Sequence, residues 1–252
     1  MRTTTAAWPY SSLIAHRGAG RYAPENTLAA IRLGARHHFT MMEYDVKLTR
    51  DGILVLLHDD TLDRTSNLKG RAADSGYLEL AQGDFGQWHS RDYAGEPIPT
   101  LYSIARYTQA NGIDSNIEIK PSKGYETETG TAVALAARQL WEASITKPLL
   151  SSFSELALAA ARQAAPELPR ALLIGREIPA NWRDRVTELQ CIGLNVNDKY
   201  LDEATANDIL QAGYTLAVYT VNNPARAREL LSWGCHGVFT DEIMTISPLH
   251  FS

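Results

Sequence analysis

Cysteine is nearly absent from this sequence, with Cys191 and Cys235 the only two. Two thiols in 252 residues do not make a disulfide framework, so a reducing compartment is expected and both read as small core side chains beside strands. Long apolar runs are missing too. Nothing approaches the roughly 18 consecutive apolar residues of a spanning helix. The opening M-R-T-T-T-A-A-W-P-Y has no apolar core of the secretory kind, which makes the cytoplasm the expected location. No basic run occurs and the net charge is −5, which argues against nucleic acid as a partner. No His or Cys pair has zinc-ligand spacing. No G-x-G-x-x-G follows the first apolar segment, and no residue-level repeat is visible.

What is present is ordinary for a globular chain, 44% apolar and 21% charged, and long enough for one large core. Short apolar segments alternate with helical ones. Ser12–Ala15 reads as a strand, Leu28–Arg36 as a helix with Asn26 as an N-cap, and Met41–Val46 as a second strand that Ile53–Leu57 extends or pairs with. After a segment at about 59–98 whose Gly, Pro, Asp and Asn residues break every periodicity, the rhythm turns regular. Helices are expected over Thr100–Gln109, Thr129–Ala143, Glu155–Ala165, near Trp182, and over Ala204–Ala212 and Ala225–Trp233. Strands are expected at Ser115–Ile119, Leu149–Leu150, Arg170–Ile174, Cys191–Val196, Thr215–Tyr219 and Gly237–Thr240. About eight strands, most followed by a helix, point to an α/β TIM (β/α)8 barrel with a small insertion after the second strand, residues 1–252 forming one domain. An open doubly wound sheet is the other reading.

The residues with chemical potential fall at predicted strand ends. Glu43 and Asp45 lie two apart, so a strand projects both carboxylates to one face while Met42, Tyr44 and Val46 take the other. Asp51-Gly52 reads as a tight turn. In the third strand Ile117 and Ile119 face one way, leaving Asn116, Glu118 and Lys120 for the barrel mouth, where a Glu and a Lys need partners or a ligand. Three carboxylates, Glu43, Asp45 and Glu118, suit one hard divalent cation, Mg²⁺ or Ca²⁺. His16 and His58 offer one group for proton removal and one for proton donation. Arg17 and Lys120 supply the charge that a phosphate oxygen seeks, although Arg17 could instead neutralise Glu43 as a buried ion pair. Asp59 and Asp60 read as turn residues, and His37, His38, His89, His236 and His250 as structural or solvated. Together, cation, basic residues and two imidazoles suggest phosphodiester cleavage.

His16-Arg17-Gly18, Pro24-Glu25-Asn26-Thr27, Glu43-x-Asp45-Val46, Thr49-x-Asp51-Gly52, His58-Asp59 and Glu118-Ile119-Lys120 resemble the glycerophosphodiester phosphodiesterase family. Ser151-Ser152-Phe153, Tyr219-Thr220-Val221-Asn222 and Gly237-Val238-Phe239-Thr240-Asp241 continue the likeness over residues 11–245, near the short cytosolic bacterial form linked to glycerol-3-phosphate uptake. The resemblance implies a TIM barrel and one divalent cation on Glu43, Asp45 and Glu118. It also implies His16 and His58 as the acid–base pair, with Arg17 and Lys120 on the phosphate. Where the family commonly has Trp this chain has Tyr219, which keeps an aromatic wall but adds a polar tip that could alter which alcohol fits. Trp88 and Tyr93 of the insertion could line the pocket or simply pack.

The expected reaction is hydrolysis of glycerophosphodiesters such as glycerophosphocholine and glycerophosphoethanolamine to sn-glycerol 3-phosphate and an alcohol, with broad head-group tolerance. His16 is expected as base and His58 as acid. Attack by the substrate's own 2-hydroxyl and attack by metal-bound water both remain open, as does assembly into a homo-oligomer. A phospholipase acting on intact lipids is a rival that the lack of a membrane anchor or basic amphipathic helix disfavours. A non-catalytic barrel that binds phosphorylated ligands would have lost a catalytic position, and none is missing here.

Overall fold

The second strand, β2 (Met41–Leu48), shows how the chain sorts its side chains. Its even-numbered residues Met42, Tyr44 and Val46 pack outward in the main hydrophobic core, with Ile31 and Ile104 from the covering helices. Its odd-numbered residues Met41, Glu43, Asp45 and Lys47 take the opposite face, and all four are buried. A strand buried on both sides needs parallel neighbours covered by helices. That is the arrangement in this computed structural model, which describes residues 8–251. Most of the opening segment read above as lacking an apolar core (residues 1–7) lies outside the described residues.

Eight parallel strands form the barrel: β1 (Leu13–Ala15), β2, β4 (Asp114–Ile119), β5 (Leu149–Ser152), β6 (Arg170–Ile174), β7 (Gly193–Asn197), β8 (Thr215–Tyr219) and β9 (Gly237–Thr240). The order runs β1-β9-β8-β7-β6-β5-β4-β2, and the pairing of β1 with β2 closes the ring, so the fold is a TIM barrel and not an open sheet. Between β2 and the next barrel strand, β3 (Leu54–Leu56) folds back antiparallel on β2, with Val46 opposite Leu56. The Asp51-Gly52 turn makes this possible, because Gly52 sits at φ +80°, a conformation that costs glycine little.

Helices α1 (Leu28–Arg36) and α3 (Leu101–Ala110) through α8 (Pro224–Ser232) follow seven of the eight strands. Side-chain oxygens of Thr27, Thr100, Ser154, Asp202 and Asn223 cap five of them by accepting first-turn N–H groups. The cap of α1 is therefore Thr27 and not Asn26, whose side chain is engaged elsewhere. Helix α4 (Glu126–Leu140) starts one turn earlier than its small-residue face indicates. Strand β7 begins two residues later than expected, since the Cys191 N–H donates to the Val186 carbonyl of the preceding helix. Both cysteines are buried.

The barrel interior is filled from the bottom by Tyr10, Ile14, Met41, Leu149, Ala171, Ala217 and Phe239. The next inward positions up β2 and β4 are Glu43, Asp45, Asn116 and Glu118, so the apolar plug is the floor on which a polar layer stands. Register sets Asp45 beside Glu118 and Glu43 beside Asn116. Residues after β3 include a short helix α2 (Tyr77–Leu80) and build a small core of their own from Leu62, Ala72, Leu80, Phe85 and Ile98. This segment is stitched to the first turn of α1 by Glu96, whose carboxylate accepts from the Ala29 N–H at 2.9 Å, and to the β1–α1 loop by His89, which donates to the Arg21 carbonyl at 2.9 Å. Among the described residues no helix is long and apolar enough to cross a membrane.

Leu149 is fully buried in the plug, so Leu149→Ala should cost about 2–5 kcal/mol. Denaturant unfolding measures this, and a smaller loss would mean that the plug does not support the barrel.

Candidate active site

Strand register and the turns that follow β1, β3 and β4 bring the candidate residues to one end of the barrel. His16, Arg17, Glu43, His58, Glu118, Lys120 and Tyr219 all line one cavity of about 410 Å³. Asp45 is buried among them, with Lys120 Nζ 3.4 Å from one of its oxygens and Arg17 Nε 3.6 Å from the other. Carboxylate oxygens of Glu43, Asp45 and Glu118 lie within 4.8 Å of one another.

Each member of this cluster is anchored differently. Asn26 donates from Nδ2 to Asp45 Oδ2 at 2.8 Å and accepts the Asp45 N–H at 3.0 Å. To do so it adopts φ +59°, and Arg17 lies at φ +52°; two non-glycine residues in the left-handed region mark a loop held in place by its surroundings. The Arg17 N–H donates to Glu43 Oε2 at 3.0 Å, whereas its guanidinium reaches Glu25 at 2.8 Å. The alternative of a guanidinium–Glu43 ion pair is thus replaced by a backbone hydrogen bond. Lys120 Nζ donates to Glu118 at 2.6 Å.

Electrostatics follow from burial and proximity. Burial, reinforced by Asp45 and Glu118, raises Glu43 well above the ordinary carboxylate range. Burial and Asp45 likewise push Glu118 up to about 7, against the pull of Lys120. Burial acts on Asp45 in the same direction, but Lys120, Arg17 and His58 overcome it and hold that group below the usual range. One firmly ionised carboxylate beside two reluctant ones is a set that a hard cation would ionise fully. Glu43 Oε1 is buried with no hydrogen-bond partner among the described residues, and the donors are all oxygen, so the residues fit a divalent cation of the oxygen-seeking kind.

The two imidazoles share one design. His16 Nδ1 lies 2.7 Å from Asp241 Oδ1, and His58 Nδ1 lies 2.7 Å from Asp59 Oδ1. A carboxylate only accepts, so each Nδ1 carries the proton and each Nε2 is left for chemistry. His16 Nε2 is 3.8 Å from Glu43. Burial lowers the pKa of His58, helped by Lys120 and Arg17.

The model of the glycerophosphoryl diester phosphodiesterase family matches residues 16–245. The chain belongs to this family. A glycerophosphodiester phosphodiesterase of Bacillus subtilis is 30% identical over 90% of this chain and 82% of its own length. One from Caldanaerobacter subterraneus subsp. tengcongensis is 30% identical over 94% and 96%. Among solved structures, an Oleispira antarctica phosphodiesterase in complex with the product sn-glycerol-3-phosphate superimposes with a TM-score of 0.88 at 34% identity, covering 94% of this chain and 95% of that one.

Membership of an enzyme family gives weight to residues that sequence reasoning passed over. Asp59 is more than a turn residue, since its carboxylate holds His58; Asp60 instead pairs with the buried Lys47 at 2.7 Å. Asp241 stands in the matched Gly237–Asp241 motif but drew no role there. Gly20 is what lets it approach, as a Cβ on Gly20 would fall 2.2 Å from the Asp241 Cα. The Tyr219 hydroxyl donates to the Ile174 carbonyl at 2.8 Å, so its polar tip is already engaged while the ring faces Phe153 and Phe239. Trp88 lines a neighbouring cavity of about 370 Å³ that shares His16 and Arg17, whereas Tyr93 packs on the main core.

A buried acid with a raised folded value stabilises the fold below its unfolded value, and that contribution is lost as pH rises through the folded one. For Glu118 the window is about pH 4.5 to 7. In chelator, wild type should therefore lose stability relative to Glu118→Gln between pH 5 and pH 8. Thermal melts of the pair measure this, and a constant difference would contradict the assigned burial effect.

Proposed function

We propose that this chain hydrolyses glycerophosphodiesters, among them glycerophosphocholine and glycerophosphoethanolamine, to sn-glycerol 3-phosphate and the free alcohol. The observation that carries this reading is the pairing of two imidazoles, each with Nδ1 bound to an aspartate, around one cavity that Glu43, Glu118 and two basic side chains also line, with Asp45 buried beside them. Family membership and the product bound by the Oleispira antarctica phosphodiesterase support the same substrate class.

Glu43, Asp45 and Glu118 are the residues that would hold one divalent cation, Mg²⁺ or Ca²⁺. Bound there, it supplies positive charge for phosphate oxygens. Arg17 and Lys120 orient the same oxygens. Each is tied to a carboxylate that already fixes its position, Arg17 to Glu25 and Lys120 to Glu118. His16 acts as base: its Nε2 takes the proton of the nucleophile, and Asp241 at Nδ1 stabilises the imidazolium that results. His58 acts as acid: as the imidazolium it gives its Nε2 proton to the leaving alcohol, and its lowered pKa favours that release. The nucleophile is the substrate's own glycerol 2-hydroxyl, which closes on phosphorus as the ester bond to the head group breaks; water then opens the cyclic phosphate. Tyr219 and Phe153 form the aromatic wall. Residues 1–252 act as one domain, the 59–98 insertion included, in the cytoplasm.

Purified protein incubated with glycerophosphocholine and a divalent cation should release glycerol 3-phosphate, and chelator should stop it. His16→Ala or His58→Ala should lower the rate ~10²–10⁴-fold. Undiminished turnover in either variant would remove the assignment. A substrate lacking the 2-hydroxyl should be inert; normal turnover of it would exclude the cyclic route.

A further inference from the structure

Arg64 belongs neither to the imidazole pair nor to the carboxylate cluster, yet it joins the two sides of the site. It stands in the irregular segment after β3 and makes four hydrogen bonds to two carboxylates. To Asp59 it donates from Nε at 2.7 Å and Nη2 at 3.0 Å; to Glu25 it donates from Nη1 at 2.7 Å and Nη2 at 2.8 Å. Asp59 holds the His58 ring at 2.7 Å, and Glu25 holds the Arg17 guanidinium at 2.8 Å. An unbroken chain thus runs from His58 through Asp59, Arg64 and Glu25 to Arg17. Those end groups stand on separate loops, after β3 and after β1.

We propose that Arg64 is a positioning residue, which by gripping Asp59 and Glu25 together fixes the His58 ring and the Arg17 guanidinium at the spacing the reaction uses. The inference rests on the acid and phosphate-binding roles given to those two residues above. Only a planar guanidinium presents donors in a fork that matches two carboxylates side by side; a lysine ammonium in the same place is one point charge. Arg64 is 44% exposed, and without it Glu25 would keep Arg17 and Asp59 would keep His58, so its loss would leave neither carboxylate unpaired. Its bonds therefore matter for geometry far more than for keeping the chain folded. That separates the proposal from a merely structural role.

The test uses the full chain with its divalent cation and glycerophosphocholine. Arg64→Met should lower kcat ~10–100-fold with an unchanged melting temperature, and Arg64→Lys should recover only part of the loss. In an Asp59→Asn background the further cost of Arg64→Met should shrink, because the grip on Asp59 is already broken. Wild-type kcat in Arg64→Met, or losses that multiply in the double variant, would overturn the proposal. Should Arg64→Met fail to fold, Arg64→Lys against Asp59→Asn gives the same cycle. His58→Ala measured alongside separates the two ideas: full activity there removes the catalytic reading, whereas an inactive His58→Ala beside an indifferent Arg64→Met removes Arg64 alone.

Discussion

Three buried carboxylates that must share one small volume are the constraint on which the rest of this barrel depends. Like charges about 4 Å apart repel by about 4 kcal/mol at the effective dielectric constant near a protein surface. That exceeds the worth of any single exposed ion pair, about 0–1 kcal/mol. The chain offsets the repulsion in part with Arg17 and Lys120, and in part by leaving Glu43 and Glu118 reluctant to ionise. What remains is a site whose full charge needs a further positive partner.

The barrel enforces this arrangement where a looser scaffold would relax it. Asp45 and Glu118 are neighbours because β2 and β4 pair in one register, and a slip of one residue would turn the acids of the slipped strand toward the helices. Beneath them the apolar plug blocks any retreat of the side chains into the interior. Above them the β1–α1 loop, with Arg17 and Asn26 in left-handed conformations, closes down on Glu43 and Asp45. Backbone strain, register and packing thus all oppose dispersal of the charges.

Much of this was legible in the sequence because it rests on short-range periodicity. The alternation of Met42, Tyr44 and Val46 against Glu43 and Asp45 put the acids on an inner face, and the Ile117/Ile119 alternation did the same for Glu118. Strand and helix order pointed to the barrel but left an open doubly wound sheet as the other reading, because closure rests on the long-range pairing of β1 with β2. The contacts that sequence could not supply are long-range. Asp241 reaches His16 across 225 positions, and Arg64 reaches Glu25 across 39. Asn26 was misread as a cap for a local reason: Asn next to Thr at a helix start offers two capping oxygens, and only the fold reveals that one is claimed by Asp45.

The most direct test of the account is calorimetric titration of the metal-free protein with a divalent cation near pH 7, run in buffers of different ionisation enthalpy. Glu43 and Glu118 would have to give up protons to become ligands, so the account predicts one cation bound per chain with protons released, and loss of binding in Asp45→Asn. Binding without proton release, or binding that survives Asp45→Asn unchanged, would contradict it.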